Sequence, residues 1–340
     1  MAHLMGAEVI THEFPTKEVF SGVTVGINDG DRIGIVGRNG DGKSTLVKIL
    51  TKQFAPDSGR VTWRGGLRIG FLTQVDVIDD EISIAEAVVG DRPEFEWASD
   101  PKIRDVLSGL VADLDWHQKV GTLSGGQRRR VALAALLAGE YDVVFLDEPT
   151  NHLDVDGVAW LANHLQTRWP KNVGGLAVIT HDRWFLDAVC NLTWEVYGGR
   201  IEPFEGGYAA YVQQRAERSR QADAIESRRQ NLLRKELAWL GRGAPARTAK
   251  PKFRIDAALA LIGNEPPPRN SVELAKLATT RLGKDVVDME DVSYSTPGDL
   301  VIVDDMTLRL GPGDRIGLVG ANGVGKTTLM RLITGELRPE

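Results

Sequence analysis

The octapeptide GRNGDGKS, Gly37 to Ser44, sets three glycines ahead of a lysine and a hydroxyl in the pattern GxxxxGK[ST]. Glycines let backbone N–H groups approach phosphate oxygens, a lysine so placed reaches the β- and γ-phosphates, and the hydroxyl is a ligand for Mg²⁺. A nucleoside triphosphate site is therefore expected at Gly37, Arg38, Asn39, Gly40, Asp41, Gly42, Lys43, Ser44 and Thr45. A second string, VVFLDEPT from Val143, ends an apolar run on two carboxylates. Asp147 is placed to hold Mg²⁺, usually through water, and Glu148 to polarise an attacking water. A third string, LSGGQ, opens the run RRRVALAALL. Ser124, Gly125, Gly126 and Gln127 would then stand at a helix N-terminus, where unpaired N–H groups and the helix dipole favour an anion. Taken singly, these strings could be a turn, a solvated strand end and an N-cap. Together they describe phosphate chemistry.

Elements must position these residues, and the chain provides them twice. DRIGIVGRNGDGKSTL from Asp31 returns as DRIGLVGANGVGKTTL from Asp314, an offset of 283 residues. Each copy has an apolar β-branched run (Ile33 to Val36; Ile316 to Val319), then glycines, then a helix-forming stretch, which reads as strand, loop and helix. The second loop comprises Gly320, Ala321, Asn322, Gly323, Val324, Gly325, Lys326, Thr327 and Thr328, with Thr327 as its Mg²⁺ ligand. In the first copy, strands are predicted at Arg60 to Trp63, Arg68 to Leu72, Val143 to Leu146, Leu176 to Ile179, Leu192 to Tyr197 and Ile201 to Phe204. Helical periodicity covers about Ile84 to Leu114 and Val158 to Leu165. Alternating strands and helices imply an α/β sheet domain over residues 1–205, with a helical subdomain at about 78–135.

A long, mostly solvated helix is predicted from Tyr208 to about Leu240. GRGAPARTAKPK breaks it, and a return helix from about Phe253 to Ile262 completes a linker over 206–284. The second domain begins at about residue 285 and the sequence ends at Glu340, ahead of any second LSGGQ, second carboxylate pair or second histidine switch. A truncated chain is the expectation, one that binds ATP and hydrolyses it poorly.

Composition excludes several classes. The net charge of −6 argues against a wholesale nucleic-acid coat, and the single cysteine, Cys190, allows neither an intrachain disulfide nor a cysteine-built metal site. No secretion signal or membrane-spanning apolar run is apparent, so a cytoplasmic location is expected.

The set GRNGDGKST, LSGGQ, FLDEPTNHLD and THDRWFLD, in that order, resembles an ATP-binding-cassette ATPase domain over nearly all of residues 1–205. The resemblance implies ATP and Mg²⁺ as cofactors. It implies that Gln74 in FLTQ contacts Mg²⁺ and water, that Asp154 belongs to the D-loop, and that His181 is the switch histidine on the γ-phosphate. It also implies an adenine-stacking aromatic, for which Phe14 and Tyr294 are the candidates. Such domains pair head to tail, so Lys326 and Thr327 would face Ser124 to Gln127, here within one chain.

Tandem cassettes without membrane spans, carrying DEPTNHLD and THDRWFLD, resemble the ABC-F subfamily, whose members act on ribosomes. Independently, residues 215–254 hold twelve bases against four acids, a local excess of eight positive charges suited to phosphate backbones. Arg242, Arg247, Lys250, Lys252 and Arg254 are the candidate RNA contacts, toward rRNA or tRNA. Only 48 residues separate Gln74 from Leu123, which leaves little room for an added arm and, with the short linker tip, favours the Uup-like branch. Two alternatives stand beside a translation factor: the ATPase subunit of an ABC transporter, with drug resistance as one role, and a DNA-associated ATPase.

Overall fold

Alternate residues of two central strands point into different cores, which makes this an α/β protein with a sheet covered on both faces. In β6 (Val143–Asp147), Val143 and Phe145 pack on one side while Val144 and Leu146 pack on the other. In β7 (Gly175–Ile179), Ala177 and Ile179 join the first group and Leu176 and Val178 the second. Such strands read as continuous apolar runs because neither face meets water. The computed structural model describes residues 2–15, 17–72, 78–241, 287–296, 301–320 and 323–339.

β1 (His3–Phe14), β2 (Lys17–Asn28) and β4 (Ser58–Trp63) form a three-stranded antiparallel sheet in the order β2-β1-β4. β3 (Arg32–Gly37) leads into α1 (Lys43–Leu50). The main sheet has the order β5-β6-β7-β3-β8-β9, where β5 is Ile69–Leu72, β8 Leu192–Tyr197 and β9 Arg200–Glu205. Its pairings are parallel except β8 with β9. One core lies between this sheet, α1 and the smaller sheet, and includes Leu4, Phe20, Ile35, Leu46 and Phe145. The other is built with the helices α2 (Ile84–Val89), α3 (Glu94–Trp97), α4 (Pro101–Leu110), α5 (Gly125–Leu137), α6 (Val155–Thr167) and α7 (Arg183–Val189).

Three sequence expectations need correction or extension. The helical periodicity predicted from Ile84 to Leu114 resolves into three helices, α2, α3 and α4, because Gly90 (φ +63°), Pro93 and Pro101 interrupt it. The two twelve-residue strands β1 and β2 add to the predicted set. The predicted strand at Ile316 to Val319 is not formed. Ile316 and Val319 are exposed, 64% and 74%, and no strand pairs with this stretch among the described residues. Its counterpart β3 exists because β7 and β8 flank it on both sides. An apolar run supplies strand propensity, but the partners supply the hydrogen bonds.

The chain divides into two compact units, Met1–Tyr211 with Asp285–Glu340, and Val212–Lys284. In the first unit, a short hairpin of β10 (Val287–Ser295) and β11 (Val301–Leu310) packs around Met289, Val292 and Val303 with α9 (Lys326–Ile333). α8 (Tyr208–Gly241) is anchored at its start, where the Tyr211 hydroxyl donates to Glu195 at 2.9 Å and the ring meets Phe204 edge-on. The predicted turn after it, the return helix, and Arg242, Arg247, Lys250, Lys252 and Arg254 lie outside the described residues.

Candidate functional site

The phosphate loop joins β3 to α1 through backbone that only glycine accepts easily. Gly40 has φ +83° and Gly42 φ +101°, and a Cβ on Gly42 would meet Val19 Cγ1 at 2.3 Å. Gly42 caps α1 without any side-chain acceptor, which leaves the first N–H groups of the helix to a ligand. Lys43 is buried, and its Nζ donates to the Gly37 carbonyl at 2.9 Å and the Arg38 carbonyl at 3.1 Å. This folds the ammonium over the loop that its N–H groups line.

Around the loop is a cavity of about 530 Å³, within the range of small-molecule sites. Asn39, Gly40, Gly42, Lys43, Ser44 and Thr45 form one wall, Asp147, Glu148 and His181 another, and Phe14 and Lys17 also line it. Phe14 is 43% exposed at the end of β1, with His12 edge-on to its ring at 5.1 Å. The loop, the carboxylate pair, the histidine and the upstream aromatic therefore share one space. Ser124, Gly125, Gly126 and Gln127 do not line it.

Asp147 ends β6 and is buried, with Oδ1 lacking any hydrogen-bond partner among the described residues. A desolvated carboxylate oxygen without a donor is costly, and a divalent cation held jointly with the Ser44 hydroxyl would relieve that cost. The donor set thus fits Mg²⁺. Gln74, the third expected ligand, lies outside the described residues.

Glu148 adopts φ +50°, an uncommon conformation for a glutamate, and its N–H donates to the Ile179 carbonyl at 2.8 Å. Its Oε1 stands 3.4 Å from His181 Nε2; the carboxylate side chain is 13% exposed, while the imidazole is 65% exposed. Burial raises the Glu148 carboxyl above its ordinary range, and His181 and then Lys43 pull against that rise. The result is a carboxylate made more basic by its surroundings and held beside a histidine. An adjoining cavity of about 450 Å³ touches Asn39, Glu148, Thr150, Asn151, Thr180, His181 and Asp182.

The serine of LSGGQ caps α5 reciprocally: Ser124 Oγ accepts the Gln127 N–H at 3.3 Å, and Gln127 Oε1 accepts the Ser124 N–H at 2.9 Å. Gly125 and Gly126 are thereby presented at a helix start. A Cβ on Gly126 would come 3.3 Å from the Cβ of His152. Asp154 caps α6 by accepting the Gly157 N–H at 2.9 Å.

Two residues join the site without a motif of their own. Arg129, buried on α5, donates to the Asp147 carbonyl and so ties the helix behind LSGGQ to the strand carrying the carboxylate. Its only sequence signal is the RRR run, where one buried arginine hides among three. Lys17 lies outside every string and reaches the loop only through the β1–β2 hairpin.

In the second copy, Gly323 (φ +83°) and Gly325 (φ +103°) repeat the conformations of Gly40 and Gly42, and Lys326 Nζ donates to the Gly320 carbonyl at 2.6 Å. Val324, Thr327 and Thr328 belong to the described residues, whereas Ala321 and Asn322 do not. Tyr294 sits on β10 opposite Val303 and packs on the small apolar cluster there.

Comparison with known proteins agrees with this geometry. The ABC transporter family model matches residues 20–151 and 303–340, and a companion ABC transporter extension model matches 194–267. The "Uncharacterized ABC transporter ATP-binding protein YfmR" of Bacillus subtilis is 34% identical over 99% of this chain and 59% of its own length. The "Energy-dependent translational throttle protein EttA" of Haemophilus influenzae is 33% identical over 96% of this chain and 65% of its own. The chain thus spans 59% to 65% of the length of these curated relatives. Among solved structures, the complex of archaeal ribosomal stalk protein aP1 with the archaeal ribosome recycling factor aABCE1 superposes with a TM-score of 0.55 at 26% identity. That match covers 63% of this chain and 42% of the other. With its paired phosphate loops and these relatives, the chain belongs to the ABC transporter family, as an ATP-binding protein of the ABC-F type.

Proposed function

We propose that this protein is an ATPase of the translation apparatus, in which ATP closes two cassettes on each other and hydrolysis releases them. Lys43, with the loop N–H groups of Gly37 to Thr45, holds the polyphosphate. Ser44, Asp147 and Gln74 hold Mg²⁺, which neutralises developing charge when bound. Glu148 takes the proton of the attacking water, His181 donates to the γ-phosphate side, and Phe14 stacks on adenine. Asp154 acts as the D-loop residue. Lys326, Thr327 and their loop form the second site, with Tyr294 on adenine, facing Ser124 to Gln127. The working division is a first cassette at 1–205, a basic linker at 206–284 and second-cassette sequence from 285.

One observation carries the choice of partner. Residues 215–254, within the segment joining the two phosphate-loop regions, hold twelve bases against four acids on a chain of net charge −6. Its described part belongs to a 34-residue helix with Arg215, Arg218, Arg220, Arg228, Arg234 and Lys235 exposed. A strongly basic linker suits a phosphate backbone, whereas a transporter subunit needs only a short neutral joint. Among the described residues no helix is long and apolar enough to cross a membrane. A relative named as a translational throttle and a structural neighbour named as a ribosome recycling factor support the ribosome over DNA. The lengths of the linker tip and of the Gln74–Leu123 interval favour the Uup-like branch.

The test is sucrose-gradient sedimentation of the Glu148→Gln protein with ribosomes, with and without ATP, and with the linker arginines and lysines reversed in charge. ATP-dependent co-migration lost on reversal is the expected result. A protein that binds ATP yet stays at the top of the gradient refutes the ribosome and moves DNA or a membrane partner forward.

A further inference from the structure

The first phosphate loop contains a charge that a polyphosphate would repel. Asp41 stands one residue before Gly42, and its Oδ2 accepts the Arg38 N–H at 3.1 Å while its own N–H donates to the Arg38 carbonyl at 3.2 Å. This closes the turn and commits two backbone donors of the loop to the protein, with a carboxylate between Gly40 and Gly42, which line the cavity, although Asp41 itself does not. Lys17, the first residue of β2, answers it. Its Nζ donates to the Gly40 carbonyl at 2.8 Å, lies 3.7 Å from Asp41 Oδ1, and its side chain lines the nucleotide cavity with Lys43.

The duplication supplies a comparison inside one chain. A Cβ on Gly42 would meet Val19 at 2.3 Å, and one on Gly325 would meet Ile302 at 2.4 Å, so the 283-residue register holds across the loop and the strand beside it. In that register Gly37, Gly40, Gly42 and Lys43 recur as Gly320, Gly323, Gly325 and Lys326, whereas Lys17 becomes Leu300 and Asp41 becomes Val324. Both charges vanish together. Arg38 and Glu18 also give way, to Ala321 and Val301, so what singles out Lys17 and Asp41 is their contact at 3.7 Å beside the Gly40 carbonyl in the first copy, together with the absence of both charges from the second.

We propose that Lys17 and Asp41 form a charge pair that sets the polyphosphate affinity of the first loop, and that the second loop, whose sequence carries leucine and valine at the corresponding positions, holds nucleotide with a different charge and salt dependence. The inference rests on the reading of this cavity as the ATP site. Lys17 acts as the second cation of the first loop: it cancels the Asp41 carboxylate and leaves Lys43 to face the phosphates.

The experiment measures equilibrium binding of ATP and AMP to the chain carrying Lys326→Ala, so that only the first loop reports. Lys17→Leu is expected to weaken ATP about three- to tenfold while AMP changes less than about twofold, since the effect scales with ligand charge. Lys17→Arg should retain ATP affinity within about twofold, and Lys17→Leu combined with Asp41→Val should recover most of the loss. Lys17 is largely exposed, so these variants leave the core intact. Equal weakening of ATP and AMP would refute a charge role, as would a double variant no better than Lys17→Leu alone or a Lys17→Leu variant that binds like its parent. Failure of the Lys326→Ala parent to bind any ATP would refute the cavity reading itself, and the pair with it.

Discussion

Replacing Glu148 by glutamine separates chemistry from binding, because the amide keeps the size of the side chain and leaves the φ +50° backbone in place while losing the basic oxygen. A positioned general base contributes about 10²- to 10⁴-fold, or about 3–5 kcal/mol of barrier at 1.36 kcal/mol per tenfold. In the protein completed to the length of its relatives, phosphate release should fall by that factor while ATP affinity is kept. Stability should move the other way. The Glu148 carboxyl is raised first by burial, with Asp147 adding to the rise and His181 and Lys43 opposing it. A carboxyl with a higher pKa folded than unfolded binds protons more tightly in the native state. Its effect is therefore a loss of stability as pH rises from the ordinary 4.5 through the raised value, and that loss persists above it. Glutamine removes the penalty. The variant should unfold at a higher temperature than its parent at pH 7.5, and below about pH 4 the two proteins should converge. Phosphate release, equilibrium ATP binding and calorimetry at the two pH values measure all three effects. Undiminished turnover, or a midpoint lowered at pH 7.5, would refute the assignment of Glu148 as a desolvated base.

Two other perturbations test how the site is held. Gly42→Ala places a methyl 2.3 Å from Val19 Cγ1 at φ +101°, and should cost about 1–3 kcal/mol in urea unfolding together with a large loss of ATP affinity; an unchanged midpoint would show that the loop is not packed as described. His164 on α6 meets Asp105 of α4 at 2.8 Å, stacks on Trp160 at 5.0 Å and has Arg168 at 3.4 Å, so it pins the helical subdomain to the core. Burial lowers its pKa, reinforced by Arg168 and Lys102 and opposed by Asp105. The unfolded chain then protonates first, so this contribution is full above about pH 6.5 and is lost as pH falls through the lowered value. His164→Gln should flatten that acid-side slope between pH 7.5 and 5, and an unchanged slope would assign it to other groups.

The phosphate loops are legible in the sequence because their chemistry forces residue types into a fixed spacing: Gly40 and Gly42 need positive φ, and Lys43 must fold back over the loop that precedes it. β6 and β7 are legible because both of their faces are buried, which leaves a bare apolar string. β1 is not. It runs four buried residues together from Leu4 to Ala7, then slips register around Val9 at φ +49°, so alternation never shows in its residues. Ile316 to Val319 fails the opposite way, since a pattern nearly the same as that of β3 lacks, among the described residues, the flanking strands that make β3 a strand.

The same distinction governs the site. Asp147, Glu148 and His181 announce themselves in strings, because each lies at or just after a strand end, where local sequence decides the geometry. Lys17 belongs to no string. It precedes the loop by two strands, and only the pairing of β2 with β1 and the packing of Val19 under Gly42 carry its ammonium to the Gly40 carbonyl. A residue whose role depends on tertiary packing leaves no local signature, but a duplicated chain can still expose it. Lys17 and Asp41 give way to Leu300 and Val324 while the glycines and lysine of the loop stay, and that difference between the copies, with the contact seen in the first, is what raises the proposed coupling for test.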